Sequence, residues 1–473
     1  MNREHSILGK KNKYKIFFYS VMALSLALFL LVSVATSGAS FKNVLFKDNT
    51  DSFMDHFNSV IYNIIDPYEN KVIYPPLASL TYKVCLQIIP EESIAPLVSD
   101  PTEKAQSRYV KLDQGFVFQF MMFCIISLFL FLIATEVLKK GGKYEKVCFM
   151  LLYTLSSPFL FMAERGNNII LPLAFSMFFI AFYDSKNKVL RELALISLAL
   201  AVGYKIYPVA FGVLLLRNKQ YKELFRAGIY CLVALILPFF LFYDGINSLT
   251  MMLTNIVGFG DKRSSAGNLE SQLDFKRLFY FLYGGSRKFT GITISPDLVD
   301  LYANLFKYLC TGICLIGAFF IKKRWKVVML CSAIIYGFSG ACSTYFLLFM
   351  MLAIILFLDE ETEYNLFNWL YLILLVLTQI NIPFTQGDWT RYWPTKFTSV
   401  AVVGLVFLVF VEMVISVIIW NNDRRAEGTG FVRACVDRFM EFCPDAWIEK
   451  YNQKKLLKAK TNTEDNGEVC VNG

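Results

Sequence analysis

Residues 191–217 read RELALISLALAVGYKIYPVAFGVLLLR. Both ends are basic, at Arg191 and Arg217, and the apolar middle is interrupted by Lys205 and Pro208. Lys and Arg accumulate on the cytosolic side of membrane segments, so both ends are expected in the cytosol. The segment then becomes two short helices meeting at Tyr204–Pro208 near the outer half of the membrane. Broken backbone at that depth is tolerated only where it is buried in protein or lines a wet cavity. One stretch therefore predicts a polytopic, all-α membrane protein with an internal cavity.

The flanking sequence agrees. Hydrophobic residues make up 56% of the 473, charged residues only 18%, and there are 45 Phe; a soluble chain of this length needs a more polar surface. Apolar runs of about 18–22 residues recur along the chain. Ile16 to about Ser37 is too long for a signal-peptide core and reads as the first span, with Arg3, Lys10, Lys11, Lys13 and Lys15 holding the N-terminus inside. About twelve membrane segments follow from alternating basic and neutral connections, with both termini cytosolic. Residues 1–420 form one transmembrane domain with long outer loops at 38–113 and 244–300, and 421–473 form a polar cytosolic tail. The net charge of +9 is what cytosolic Lys/Arg loops give, and no nucleic-acid partner is needed to explain it. The eleven Cys make no metal-like CxxC pair, and His5 and His56 cannot supply a histidine cage, so no metal and no cofactor are expected.

The first outer loop carries DSFMDHFNSVIYNIIDPYENKVIYPPL from Asp51 to Leu77. It holds Asp51, Asp55, Asp66 and Glu69 and ends in Tyr74-Pro75-Pro76, where two prolines remove backbone donors and fix chain direction. Asp51 and Asp55, spaced i, i+4, share a face if the stretch is helical. Two like charges there are mildly unfavourable and suit groups with work to do, for a carboxylate most naturally that of a general base. The plainer reading is a solvated carboxylate, or an N-cap of the helix that 53–65 suggests. Basic residues at short outer turns run against the charge trend: Arg165, Lys205 and Arg391, with Arg263 in the second long loop. Converging cations at a membrane surface suit a phosphate; the alternatives are pairing with a carboxylate such as Glu164, or snorkelling to the interface. For Arg391, the neighbours Trp389, Tyr392 and Trp393 also read as an aromatic belt.

The pattern D-x-x-x-D-x-x-N, D-P-Y and Y-P-P-L in the first loop, with ERGNN at 164–168 and ALAVGYKIYP at 199–208 before LLLRNKQYKE, resembles the polyprenyl-phosphate-dependent glycosyltransferases of family 87, which have the GT-C fold. The resemblance covers about residues 45–225. It implies an inverting, mannosyltransferase-like enzyme that moves a hexose or pentose from a polyprenyl-phosphate-linked donor to a lipid- or glycan-linked acceptor. The reaction would occur on the extracytoplasmic face of the plasma membrane, with the lipid bilayer as surroundings. It makes Asp51 or Asp55 the base. It makes Arg165, Asn167, Lys205, Tyr207, Arg263 and Arg391 candidates for the donor phosphate and substrate, with Tyr74, Pro75 and Pro76 as a structural motif. Two other classes are weighed. A secondary transporter or oligosaccharide flippase would use broken helices, but no inverted repeat is evident. A polysaccharide polymerase or ligase would bring several Arg and a His to its large outer loop, and 244–300 contains no His.

Overall fold

The structure is a computed structural model that describes residues 2–46, 51–70, 72–99, 103–264, 274–291, 293–338, 343–385 and 392–426, with 436, 440, 443 and 447–453 of the tail. Every regular element among them is helical. The first half runs α1 (Asn2–Ala35), α2 (Ala39–Leu45), α3 (Met54–Tyr62), α4 (Pro76–Leu86), α5 (Glu91–Ser99), α6 (Glu103–Leu112), α7 (Gln114–Leu138), α8 (Lys143–Thr154), α9 (Ser157–Arg165), α10 (Ile170–Phe182) and α11 (Lys188–Tyr204). A 3-10 turn (Tyr207–Gly212) leads into α12 (Val213–Arg217), then α13 (Tyr221–Ile236), α14 (Asn247–Ser264), α15 (Phe275–Thr290), α16 (Pro296–Phe320) and α17 (Arg324–Phe338). A second 3-10 turn (Thr344–Phe349) precedes α18 (Met350–Glu360), α19 (Leu366–Leu377) and α20 (Tyr392–Ala426).

Helices stand at each position where a membrane segment was expected, but length separates them. Five stretches are long and apolar enough to cross a membrane: Lys13–Ala35, Gln114–Leu138, Tyr221–Leu241, Pro296–Phe320 and Phe397–Ile419. The pair α8 and α9 makes a sixth if it is taken as one span, bent by 56°. The shorter pieces have local causes. Pro158 lacks the N–H that would continue α8 through the bend, and Lys205 leaves the helical region at φ −150, ending α11 ahead of Pro208. The expected break at Tyr204–Pro208 is present.

These lengths fit a two-layer arrangement. The long helices turn apolar side chains outward, among them Leu24, Ile125, Phe129, Leu232, Leu305 and Phe407, each more than half exposed. Such surface is at home in hydrocarbon, where helices satisfy their own backbone. The short apolar helices lie inside. Met350 to Leu358 are all at 2% exposure or less, as a helix that is hydrophobic on every side must be.

The acidic run Asp359–Glu363 and Glu412, which weigh little in orientation, hold one end of this bundle together. Lys139 Nζ bonds Asp359 at 2.5 Å and Glu145 at 2.8 Å, Lys323 bonds Glu361 and Glu363, and Arg324 bonds Glu360. Lys326 bonds Glu412 at 2.6 Å, and the Tyr371 hydroxyl donates to the same carboxylate at 2.8 Å. Lys139 follows the C-terminus of α7, about 28 Å along the helix axis from Phe120 near its start. The loop that carries Asp51 and Asp55 packs at that opposite end.

Candidate active site

The carboxylates meet through a turn, not through helix periodicity. α3 begins at Met54, so Asp51 stands ahead of it and Asp55 lies in its first turn. Between them Phe53 adopts the left-handed conformation, φ 65 and ψ 2, which is uncommon for a residue with a Cβ. Its N–H donates to the Glu164 carbonyl at 2.7 Å, and the Ser52 hydroxyl donates to the Glu164 carboxylate at 2.8 Å. The segment Ser52–Phe53 is thereby laid against the end of α9.

From that end Arg165 reaches both aspartates. One guanidinium nitrogen bonds Asp51, and the other bonds Asp55 at 2.5 Å. Asn167 Nδ2 donates to the second oxygen of Asp55 at 2.7 Å, while its own Oδ1 accepts from the Ile169 N–H at 3.0 Å. One cation thus lies between two anions, and this relieves the repulsion that the like pair would otherwise feel. The side chains of Arg165 and Asp55 are 16% and 17% exposed, that of Asp51 46%. Asp55 is enclosed; Asp51 is the open member. Gly166 makes the approach possible. It sits at φ 63, and a Cβ there would lie 3.1 Å from His56 Cβ, 3.2 Å from a Phe120 ring carbon and 3.2 Å from the Phe53 carbonyl.

A second strand of the site joins the two proline motifs. Pro75 precedes α4 and Pro76 opens it, the position where a missing N–H costs nothing. Tyr74 presents its ring to Lys205, whose Nζ lies 4.1 Å from the ring centroid. Lys205 is 7% exposed, has no carboxylate within ion-pair distance among the described residues, and feels the Asp55 charge. The Thr81 and Tyr204 hydroxyls bond at 2.8 Å and tie α4 to α11. A buried ammonium set against a ring, with no carboxylate in ion-pair distance, is poorly compensated.

The other expected residues divide. Tyr207 packs its ring on Phe346, 5.0 Å between centroids, and on Phe349 at 5.7 Å, so it faces the second 3-10 turn. Asp66 accepts from the Tyr68 and Glu69 N–H groups and shapes the Asp-Pro-Tyr turn. The Arg263 backbone lies in α14, but its side chain, like Arg391 and Trp389, lies outside the described residues. Among the described residues no group of three His, Cys, Asp or Glu could hold a metal ion.

Two participants were missed and a third plays a different part. Ser52 was given no role, and Glu164 was expected as a carboxylate partner of a cation, whereas it accepts from the Ser52 hydroxyl and the Phe53 N–H. His56 is fully buried beside Phe120 and Phe123, and its Nε2 donates to Gln119 Oε1 at 2.8 Å, linking α3 to α7. Burial lowers the His56 pKa to about 4. Gln119, an isolated amide in an apolar run, was a polar signal that could have marked this contact.

Next to the aspartates an apolar cavity of about 280 Å³ runs between α7 and α9–α10, bounded by Phe53, Phe120, Phe123, Phe159, Gly166 and Asn167. Its lining on α7 includes Leu128, which is 38% exposed.

Helices make up every regular element of the described residues, and several are long and apolar enough to cross a membrane, which supports a multi-pass membrane protein. Residues 112–288 match the model of glycosyltransferase family 87. The match takes in α7 through most of α15, and with it Arg165, Asn167, Lys205 and Tyr207; together with the apolar helices it supports a membrane glycosyltransferase. Asp51 and Asp55 precede the matched segment and are joined to it by Arg165 and Asn167. No curated protein and no solved structure matches the chain.

Proposed function

We propose that the chain is an inverting glycosyltransferase of GT-C type that moves a hexose, mannose-like, or a pentose from a polyprenyl phosphate to a lipid- or glycan-linked acceptor. The reaction is assigned to the extracytoplasmic face of the plasma membrane. The observation that carries this reading is Arg165 shared between Asp51 and Asp55 beside an apolar cavity, with Arg165 inside the family match.

Asp51 is the base. It is the more exposed carboxylate, and Asp55 has both oxygens engaged. Without substrate, Arg165 bonds the Asp51 carboxylate and occupies an oxygen that would take the proton. A donor phosphate draws the guanidinium toward its own oxygens, with Lys205 as the second cation, and frees Asp51 as the sugar arrives. The acceptor hydroxyl then gives its proton to Asp51 while its oxygen attacks the anomeric carbon from the face opposite the phosphate. The carbon–oxygen bond to phosphate breaks with its electron pair on the leaving polyprenyl phosphate. The products are the glycosylated acceptor and polyprenyl phosphate, and the proton passes from Asp51 to solvent. Lipid chains enter through the cavity along α7.

The test is incubation of the purified protein with labelled polyprenyl-phosphate sugars and native membrane lipids. Label is expected in a new glycosylated lipid or glycan. Donor carried across vesicles with no new glycosidic bond would instead identify a flippase.

A further inference from the structure

Phe53 stands where two features of the site meet. Its backbone is the turn between Asp51 and Asp55, held in the left-handed region by the bond from its N–H to the Glu164 carbonyl. Its ring is part of the cavity wall and lies 5.3 Å from the Phe120 ring of α7. The polar side of the turn is held by Glu164, Arg165 and Asn167, and its apolar side by the packing of the Phe53 ring on Phe120 and Phe46. A residue kept in a sparsely populated backbone region persists only where its surroundings over-determine it, and the surroundings of Phe53 include the wall of the apolar cavity.

We infer that Phe53 is a positioning residue that couples occupancy of the cavity to the placement of the Asp51–Asp55 pair. The occupant is the isoprenoid chain of the lipid-linked donor, and the inference rests on that reading of the donor. An isoprenoid chain suits this cavity better than a soluble occupant, because its walls are apolar and its lining includes both Asn167, which bonds Asp55, and the exposed Leu128 of the apolar helix α7. A chain seated in the cavity adds contacts to the Phe53 ring beside those of Phe120 and holds the left-handed turn. That fixes Asp51 relative to Arg165 and to the incoming hydroxyl. A short chain leaves the ring without these added contacts, and the base is then presented over a wider range of positions.

Two measurements on the full-length, detergent-solubilised protein decide this. The first is protection from heat inactivation by undecaprenyl phosphate and by geranyl phosphate, neither of which carries a sugar. Wild type is expected to be protected more by the long chain, and Phe53→Ala to lose that difference, with Phe53→Leu between. Alanine keeps the same backbone penalty as phenylalanine, so the change reads the ring alone. The second is turnover at saturating long-chain donor, where Phe53→Ala is expected to lower kcat by about 10-fold or more with KM little changed, and to abolish the advantage of long over short donors. If Phe53→Ala keeps the long-chain protection, or loses the same factor with both chain lengths, the coupling is overturned. Wild type transferring sugar from no donor would overturn the activity proposed above and not the coupling, which the protection measurement reads by itself.

Discussion

Asn167 Nδ2 donates to Asp55 at 2.7 Å across 112 residues of chain, while Arg165, two positions earlier, holds the other oxygen of the same carboxylate. Both oxygens of Asp55 are thereby engaged from a single turn, while Asp51 bonds Arg165 alone among the described residues and is 46% exposed. The two roles proposed above follow this asymmetry.

The two asparagine substitutions should separate accordingly. Asp51→Asn is expected to lower turnover by ~10²–10⁴-fold, the range for a lost general base, with under about 1 kcal/mol lost in stability because the group is half-exposed and screened. Asp55→Asn leaves a mostly buried Arg165 short of one partner and should cost roughly 3 kcal/mol, with a fall in activity that tracks the folded fraction. Transfer assays paired with thermal unfolding in detergent check both; equal stability losses would refute the division.

Lys205 gives the opposite balance. Lys205→Met removes a buried ammonium that no carboxylate among the described residues pairs and is expected to leave stability unchanged or raise it, because desolvation of a charge is costly. Donor KM should rise by ~10-fold or more through loss of a charge-assisted phosphate contact. A donor titration of the variant that overlays wild type would take Lys205 out of the phosphate site.

Gly166→Ala tests the approach of the two motifs. The added methyl meets the Phe53 carbonyl and His56 Cβ at 3.2 and 3.1 Å, in a left-handed residue. The backbone term alone is about 1–2 kcal/mol, and the steric term pushes the turn off Arg165. Loss of most activity with a lowered unfolding temperature is expected, whereas Gly228→Ala, where a Cβ meets nothing within 4 Å, should behave as wild type.

His56 predicts a pH dependence of stability. Its pKa falls from the usual 6.5 to about 4 on burial, and its Nδ1 has no partner among the described residues. The unfolded chain therefore binds the proton first. Stability from this group is complete above pH 6.5 and is lost as the pH falls toward 4, at up to ~1.4 kcal/mol per unit. Thermal unfolding of wild type and His56→Gln across that window checks the sign: the gap between them should narrow or invert on acidification.

Much of the site was legible because it consists of short polar motifs inside an apolar chain. ERGNN, DSFMD, YPPL and GYKIYP stand out against hydrocarbon, where each ionisable group needs a reason to be present. What the motifs do to one another was less legible. The i, i+4 spacing of Asp51 and Asp55 suggested a shared helical face, yet a left-handed residue at Phe53 delays the helix and Arg165 does the joining. Tyr207, next to Lys205 in the same motif, turns to Phe346 because a 3-10 turn has a different angular step from an α-helix.

The sequence alone determined that the chain is helical and membrane-bound, since apolar length and basic flanks answer to the bilayer one segment at a time. It also determined where Lys205 breaks a helix, because proline chemistry is local. Tertiary structure decided that Asp55 is enclosed and Asp51 open, that Lys205 lies on Tyr74, and that Phe53 touches both the carboxylate turn and the apolar cavity. Those facts depend on hydrogen bonds and packing between residues more than a hundred positions apart, and no local pattern encodes which distant partner a side chain meets.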